Sequence, residues 1–174
     1  MSPYRIFLRL MLLKWMPSPK LRALYLRNLG AKIGANCRIY SVDFLNLEHG
    51  FSRLEIEDDC YLGPGVLVDL AGCVTIGRGA VISARAVILS HDDPGSSHRS
   101  PLCKHFPPAN KNTHIGSYCW IGAGAIVLGG STVGEQCVLG AGSVAKGVLE
   151  PKSVYAGQPA TQRRRLLDEN IDRR

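Results

Sequence analysis

Apolar residues recur every six positions along most of this chain. From Ile115 onward they fall at 115, 121, 127, 133 and 139 without interruption, and four places after each comes a small residue: Cys119, Ala125, Ser131, Cys137 and Ser143. The same frame runs upstream through Ile33 and Ile39, through Ile56, Leu62 and Val68, and through Ile76, Ile82 and Ile88, with Cys37, Cys60, Val66, Ala80 and Ala86 among the small partners. A period of six fits neither a 3.6-residue helix nor free two-residue alternation. It predicts a short strand plus a corner in every repeat, with one aliphatic side chain per repeat pointing into a narrow interior. The small residue packs near the corner, where a larger group would collide. Seven of the 19 glycines take the second place of a repeat and five the fourth, which suits tight corners. Repeats that bury their faces only against neighbours form a solenoid.

The frame breaks between Ile88 and Ile115. Residues 92–113 contain four prolines and Gly95, so neither strand nor helix is expected there. A loop of about twenty residues thrown out of a solenoid is the kind of feature that carries function. Its entrance reads Leu89-Ser-His-Asp-Asp-Pro-Gly95. Ahead of the solenoid, residues 1–30 mix apolar side chains with six cations and no acid. This arm reads either as a helix capping the open end of the solenoid or as a peripheral contact with an anionic membrane surface. Its apolar run Leu10–Leu13 lies between Arg9 and Lys14, far too short to span a bilayer, and no small-residue cleavage site follows it to suggest a signal peptide.

The net charge of +7 invites a nucleic-acid reading. By segment, residues 1–30 carry +6, residues 31–160 carry −1 and residues 161–174 carry +2. The body is neutral, the excess is terminal, and no nucleic-acid motif accompanies it, so no nucleic-acid partner is expected. Four of the six cysteines (Cys37, Cys60, Cys119, Cys137) occupy the small-residue place, where a thiol serves as a small hydrophobe. Metal-ligand spacing such as C-x₂-C is absent, and reduced thiols in a cytoplasmic protein are the expectation.

The repeats, and the segments Trp120-Ile-Gly-Ala-Gly-Ala125, Leu139-Gly-Ala-Gly-Ser-Val144 and Tyr155-Ala-Gly-Gln-Pro-Ala160, resemble the hexapeptide-repeat acyltransferases, above all the branch holding maltose, galactoside and polysaccharide-sugar acetyltransferases. The resemblance implies an all-β, single-stranded left-handed parallel β-helix over residues 31–160, with the N-terminal helical arm at 1–30, the extruded loop at 92–113 and a short C-terminal helix over 161–174. Its left hand is implied by the resemblance alone, since general crossover rules favour the right. It further implies a homotrimer that transfers acetyl from acetyl-CoA, with no metal, to a hydroxyl of a small or lipid-linked sugar in surface glycan synthesis. Such an enzyme would work in the cytoplasm or at the inner face of the membrane.

Catalysis by direct attack needs a base to take the acceptor proton, and imidazole suits that near neutrality. His91 stands where the family's catalytic histidine stands, at the end of the last regular strand before the loop. Asp92 and Asp93 are expected to orient its ring or contact the acceptor, and Asp69 to bind an acceptor hydroxyl. Asp69 departs from the family, which shows an Asp-Asp pair before the Thr-Ile-Gly repeat. For the cofactor, the matching positions are Ala123 and Ala141 through backbone amides, Ala145-Lys146, and Arg164 for phosphate. Thr161 replaces a further arginine of the galactoside branch, and the run Arg163–Arg165 offers forks that match phosphate. Two other readings remain at this point. Zinc held by His91, His98 and His105 would give carbonic anhydrase-like hydration, and a solenoid without catalysis would give a scaffold.

Overall fold

The computed structural model describes residues 10–166. The chain winds into a left-handed parallel β-helix of about six coils with three flat faces. The first face stacks Lys32–Ile33, Leu54–Ile56, Val74–Ile76, Thr113–Ile115, Thr132–Val133 and Val148–Leu149. The second stacks Arg38–Ile39, Tyr61–Leu62, Val81–Ile82, Trp120–Ile121, Val138–Leu139 and Ser153–Gly157. The third stacks Asp43–Leu45, Leu67–Asp69, Val87–Ile88, Ile126–Val127 and Val144–Ala145. Strands two or three residues long suffice because their backbone groups pair with the coils above and below, as in the bonds Gly63 N–H to Ile82 O (2.8 Å) and Gly122 N–H to Leu139 O (2.7 Å).

The six-residue frame becomes the core. Ile56, Leu62, Val68, Ile76, Ile82, Ile88, Ile115, Ile121, Val127, Val133 and Leu139 are all at most 1% exposed. Each such side chain contributes roughly 1.5–3 kcal/mol of burial. The small-residue place is also closed: Cys60, Ala80, Ala86, Ala125 and Cys137 have no exposure. The cysteines there do more than save space. Cys37, Cys60, Cys119 and Cys137 each donate through Sγ to a carbonyl of the next coil, at 3.0 Å to Glu57, 3.1 Å to Gly77, 2.9 Å to Gly134 and 2.7 Å to Glu150. Burial pushes the Cys119 thiol up to about 12, which keeps it protonated as a donor. All six cysteines are free.

Strand register shows how unevenly the coils are built. Ile33 pairs with Ile56, Ile56 with Ile76, Ile76 with Ile115 and Ile115 with Val133. The extra residues all leave the solenoid at one corner, between the third face and the first, at 46–53, 70–73 and 89–112. Irregularities scattered along the sequence therefore gather along one edge of the molecule.

A helix, α1 (Pro19–Asn28), packs against the first strands of the first two faces and buries Ala23 and Leu26. Arg27, in its last turn, donates to the free carbonyls of Ile33 (3.0 Å) and Gly34 (2.8 Å). The arm thus covers the open end of the first coil, as one of its two readings expected; residues 10–15 are also helical, and 1–9 lie outside the described residues. The other end departs from expectation. Residues 161–165, expected in a helix, belong to the strand Ala160–Arg165, which folds back antiparallel on Ser153–Gly157. The last strand of the second face would otherwise leave a row of unpaired backbone groups, and the returning chain pairs with that edge. Residues 167–174 lie outside the described residues.

Candidate active site

His91 sits at the irregular corner, just after the third-face strand Val87–Ile88, and its side chain is 30% exposed. Its Nδ1 lies 2.6 Å from Oδ2 of Asp69, which is fully buried. The Asp69 carboxylate is gripped on every side. Asn46 Nδ2 donates to Oδ1 at 2.7 Å, the Ala71 amide to Oδ1 at 3.1 Å and the Ser90 amide to Oδ2 at 2.7 Å. The Ser90 hydroxyl donates to the Asp69 carbonyl (2.7 Å) and accepts from the Gly72 amide (2.9 Å). Burial alone would push this carboxyl up, but the bonds from His91, Asn46, Ser90 and Ala71 outweigh it and hold the group at about 2.

An ionised Asp69 accepts only, so the network assigns the proton to His91 Nδ1 and leaves Nε2 with a free lone pair. The ring is held through Nδ1 by the buried carboxylate. This also has a consequence for stability. The folded value lies below the ordinary 3.8, so the stabilisation is complete above about pH 4 and is lost as the pH falls toward about 2; it amounts to roughly 2 kcal/mol. Urea unfolding across that window is expected to show a steeper loss of stability in the native protein than in Asp69→Ala.

The three carboxylates expected at the acceptor thus part ways. Asp69 lies beneath His91 and cannot reach an acceptor hydroxyl, because its side chain is buried and its oxygens are occupied. Orienting the ring falls to Asp69 rather than to Asp92 or Asp93. Asp93 closes its own turn, accepting from the amides of Gly95 (2.8 Å) and Ser96 (2.6 Å) and from the Ser96 hydroxyl (2.7 Å), which lowers its carboxyl. Asp92 is exposed and pairs with Lys111 across the base of the loop. Asn46 escaped the sequence reading. It lies outside the six-residue frame, and only the register, with Leu45 opposite Asp69, puts it beside the carboxylate.

The loop is a built structure rather than the featureless excursion its prolines suggest. His91–Asp92 pairs antiparallel with Ala109–Asn110, the Lys111 amide donates to Ser90 O (2.7 Å), and buried Thr113 donates to Leu89 O (2.7 Å). Two short 3₁₀ turns, Ser96–His98 and Pro101–Lys104, fill the tip. Gly72 lets the neck close: a Cβ there would lie 2.6 Å from Lys111 O and 2.7 Å from Ser90 O. Gly72→Ala is therefore expected to cost roughly 1–3 kcal/mol, seen as a fall in Tm by calorimetry, and to lower activity by displacing His91. Along the loop opens a cleft of about 640 Å³, with His91, Asp92, His105 and Phe106 among its lining residues.

The positions expected to hold the cofactor lie away from His91 and on more than one face. Ala123 and Ala141 stack at the corner between the second and third faces, where Gly142 N–H donates to Ala123 O at 2.9 Å. Both alanines are exposed, and neither amide donates to any partner among the described residues. A cleft of about 700 Å³ runs past Ala123, Gly124, Ala84 and Arg85. Lys146 is exposed at the far end of the third-face strand Val144–Ala145, two coils, roughly 10 Å, beyond the His91 row. Arg163, Arg164 and Arg165 are exposed on the terminal hairpin, whose turn reaches the Ala141 corner through a bond from Gln158 to Gly142 O. The structure thus groups Ala123 with Ala141 and sets Lys146 and Arg164 apart from them. His98 and His105 are exposed on the loop, and among the described residues no three His, Cys, Asp or Glu side chains converge to hold a metal ion.

Both halves of the solenoid match known repeat families: residues 53–90 the hexapeptide repeat of succinyl-transferase, and residues 112–147 the bacterial transferase hexapeptide (six repeats). Each of these two stretches is thus similar to the hexapeptide repeats of transferases. A putative lipopolysaccharide biosynthesis O-acetyl transferase of Escherichia coli (strain K12) is 33% identical over 93 residues, 50% of this chain and 47% of that protein. A chloramphenicol acetyltransferase of Agrobacterium fabrum (strain C58 / ATCC 33970) is 31% identical over 129 residues, 74% of this chain and 59% of that protein. The chain thus spans about half the length of these relatives. In fold it is similar to a hexapeptide-repeat-containing acetyltransferase of Vibrio cholerae O1 biovar eltor solved with acetyl coenzyme A, at TM-score 0.76 and 20% identity, over 92% of this chain and 84% of that one.

Proposed function

We propose that this protein transfers an acetyl group from acetyl-CoA to a hydroxyl of a sugar or sugar-derived acceptor. The observation that carries the reading is the buried Asp69 bonded to His91 Nδ1 at 2.6 Å beside an open cleft. Acetyl-CoA supplies the acetyl group activated as a thioester. His91 Nε2 takes the acceptor's hydroxyl proton as the new C–O bond forms and the C–S bond breaks, and it returns that proton to the departing sulfur. No acyl-enzyme is needed. Asp69 holds the ring through both transfers and balances the imidazolium that forms between them.

The exposed amides of Ala123 and Ala141 would bind the pantetheine arm, and Lys146 and Arg164, with its neighbours Arg163 and Arg165, the phosphates. These groups lie on different faces, as a site shared between protomers requires. Exposed Val81, Tyr118 and Trp120 along the second face supply apolar surface for such contacts, so the reading includes a homotrimer. Free thiols and a thioester donor suit the reducing cytoplasm. The arm presents Met11, Leu12, Trp15, Leu21 and Leu24 exposed among Lys14 and Lys20. This surface suits peripheral contact with an anionic membrane leaflet and an acceptor carried on lipid in surface glycan synthesis. Among the described residues no helix is long and apolar enough to cross the membrane.

The deciding experiment is an acceptor screen that reads coenzyme A release across nucleotide sugars, lipid-linked glycans, simple glycosides and chloramphenicol. Release that depends on a glycan hydroxyl is the expected result. Release with chloramphenicol alone would overturn the sugar reading, and none with any acceptor would overturn acetyl transfer.

A further inference from the structure

Phe106 is 64% exposed on the loop, an unfavourable place for an aromatic ring. Its position is nevertheless built. Ser100 caps the 3₁₀ turn Pro101–Lys104 by accepting from the Leu102 amide, and the amides of His105 (2.9 Å) and Phe106 (2.8 Å) both return to Leu102 O. Asp93 ties down the opposite bend, and the neck is zipped from His91 to Lys111. The loop therefore presents the ring to the same cleft that His91 lines. The same lining carries the Asp92–Lys111 pair, an acceptor next to a donor.

An apolar plate and a donor–acceptor pair in one cleft match one kind of ligand. A pyranose ring has an apolar C–H face and an edge of hydroxyls, each of which donates and accepts. The volume of about 640 Å³ lies well inside the range of small-molecule sites, roughly 300–1,000 Å³, and exceeds the needs of a single hexose. We propose that this cleft is an acceptor subsite for the end of a glycan, in which Phe106 stacks on a pyranose ring, Asp92 and Lys111 bond its hydroxyls, and a second sugar unit extends outward. The proposal rests on the acetyl-transfer reading for its biological sense, but the binding it describes can be measured without a donor.

The test uses the full-length protein with methyl glycosides of glucose, galactose and N-acetylglucosamine and the corresponding disaccharides. Saturation-transfer NMR is expected to show sugar C–H protons against an aromatic side chain, with disaccharides bound more tightly than methyl glycosides. Phe106→Ala should weaken binding, and raise the acceptor KM, by roughly 10- to 100-fold. The KM for acetyl-CoA should move less than about twofold, and Phe106→Trp should restore the loss. Absence of saccharide binding in the native protein, or binding indifferent to Phe106→Ala, overturns the subsite. A Phe106→Ala variant whose mass by sedimentation falls to that of a smaller assembly overturns it as well, by giving Phe106 to a protomer interface. If saccharides bind as expected and no acetyl is transferred, the subsite stands and the acetyl-transfer reading falls.

Discussion

Replacing His91 with alanine is expected to lower kcat roughly 10²–10⁴-fold, the span that a general base contributes. The fold should be untouched. His91 is part-exposed and its removal opens no core cavity, because the neighbouring aliphatic row at Val68, Ile88 and Val127 stays closed. The KM for acetyl-CoA should change little, since no cofactor position lies in the His91 pair. Thiol release from acetyl-CoA at saturating acceptor measures the loss, with sedimentation to verify an unchanged assembly. Turnover within threefold of native would remove His91 from the role of base. The buried carboxylate would then need another explanation.

The second large effect concerns Asp69, a positioning residue. In Asp69→Asn the carboxylate that accepts from His91 Nδ1 is replaced by an amide able to donate to it. The imidazole then carries its proton on Nε2, the nitrogen that must be free to accept one. Loss of such an orienting partner costs roughly 10–100-fold, and more where the tautomer is inverted. A merely structural role would not change the tautomer, so the discriminating readout is the ¹⁵N spectrum of His91: Nδ1–H in the native protein and Nε2–H in Asp69→Asn. An unchanged spectrum with lowered activity would place the effect in packing instead. Asp69→Ala is the harsher variant, because it leaves the amides of Ser90 and Ala71 and the Asn46 side chain without their acceptor.

Much of this molecule could be read along the chain because a solenoid turns sequence period directly into geometry. Ile76, Ile82 and Ile88 are inward for the same reason that Ile115, Ile121 and Val127 are, and no distant contact had to be known. The break after Ile88 marked the loop, and His91 could be picked out at its mouth. The partner of His91 could not. Asp69 read as a contact for an acceptor hydroxyl, and Asn46 belonged to no repeat. The terminal arginines, read as a helix, form a strand because the last open edge of the second face lies next to them in space.

Local sequence alone determined the coil, its core rows and the place of the excursion, since each depends on residues only six apart. The tertiary structure decided which residues meet at the corner. Residues 46–53, 70–73 and 89–112 vary in length, and no local preference counts across them. Stacking the core rows sets the register instead, with Phe44 on Val68, Val68 on Ile88 and Ile88 on Val127. That register brings Asn46, Asp69, Ser90 and His91 to one edge, because slipping a strand by a single residue would turn its buried aliphatic side chain out to water.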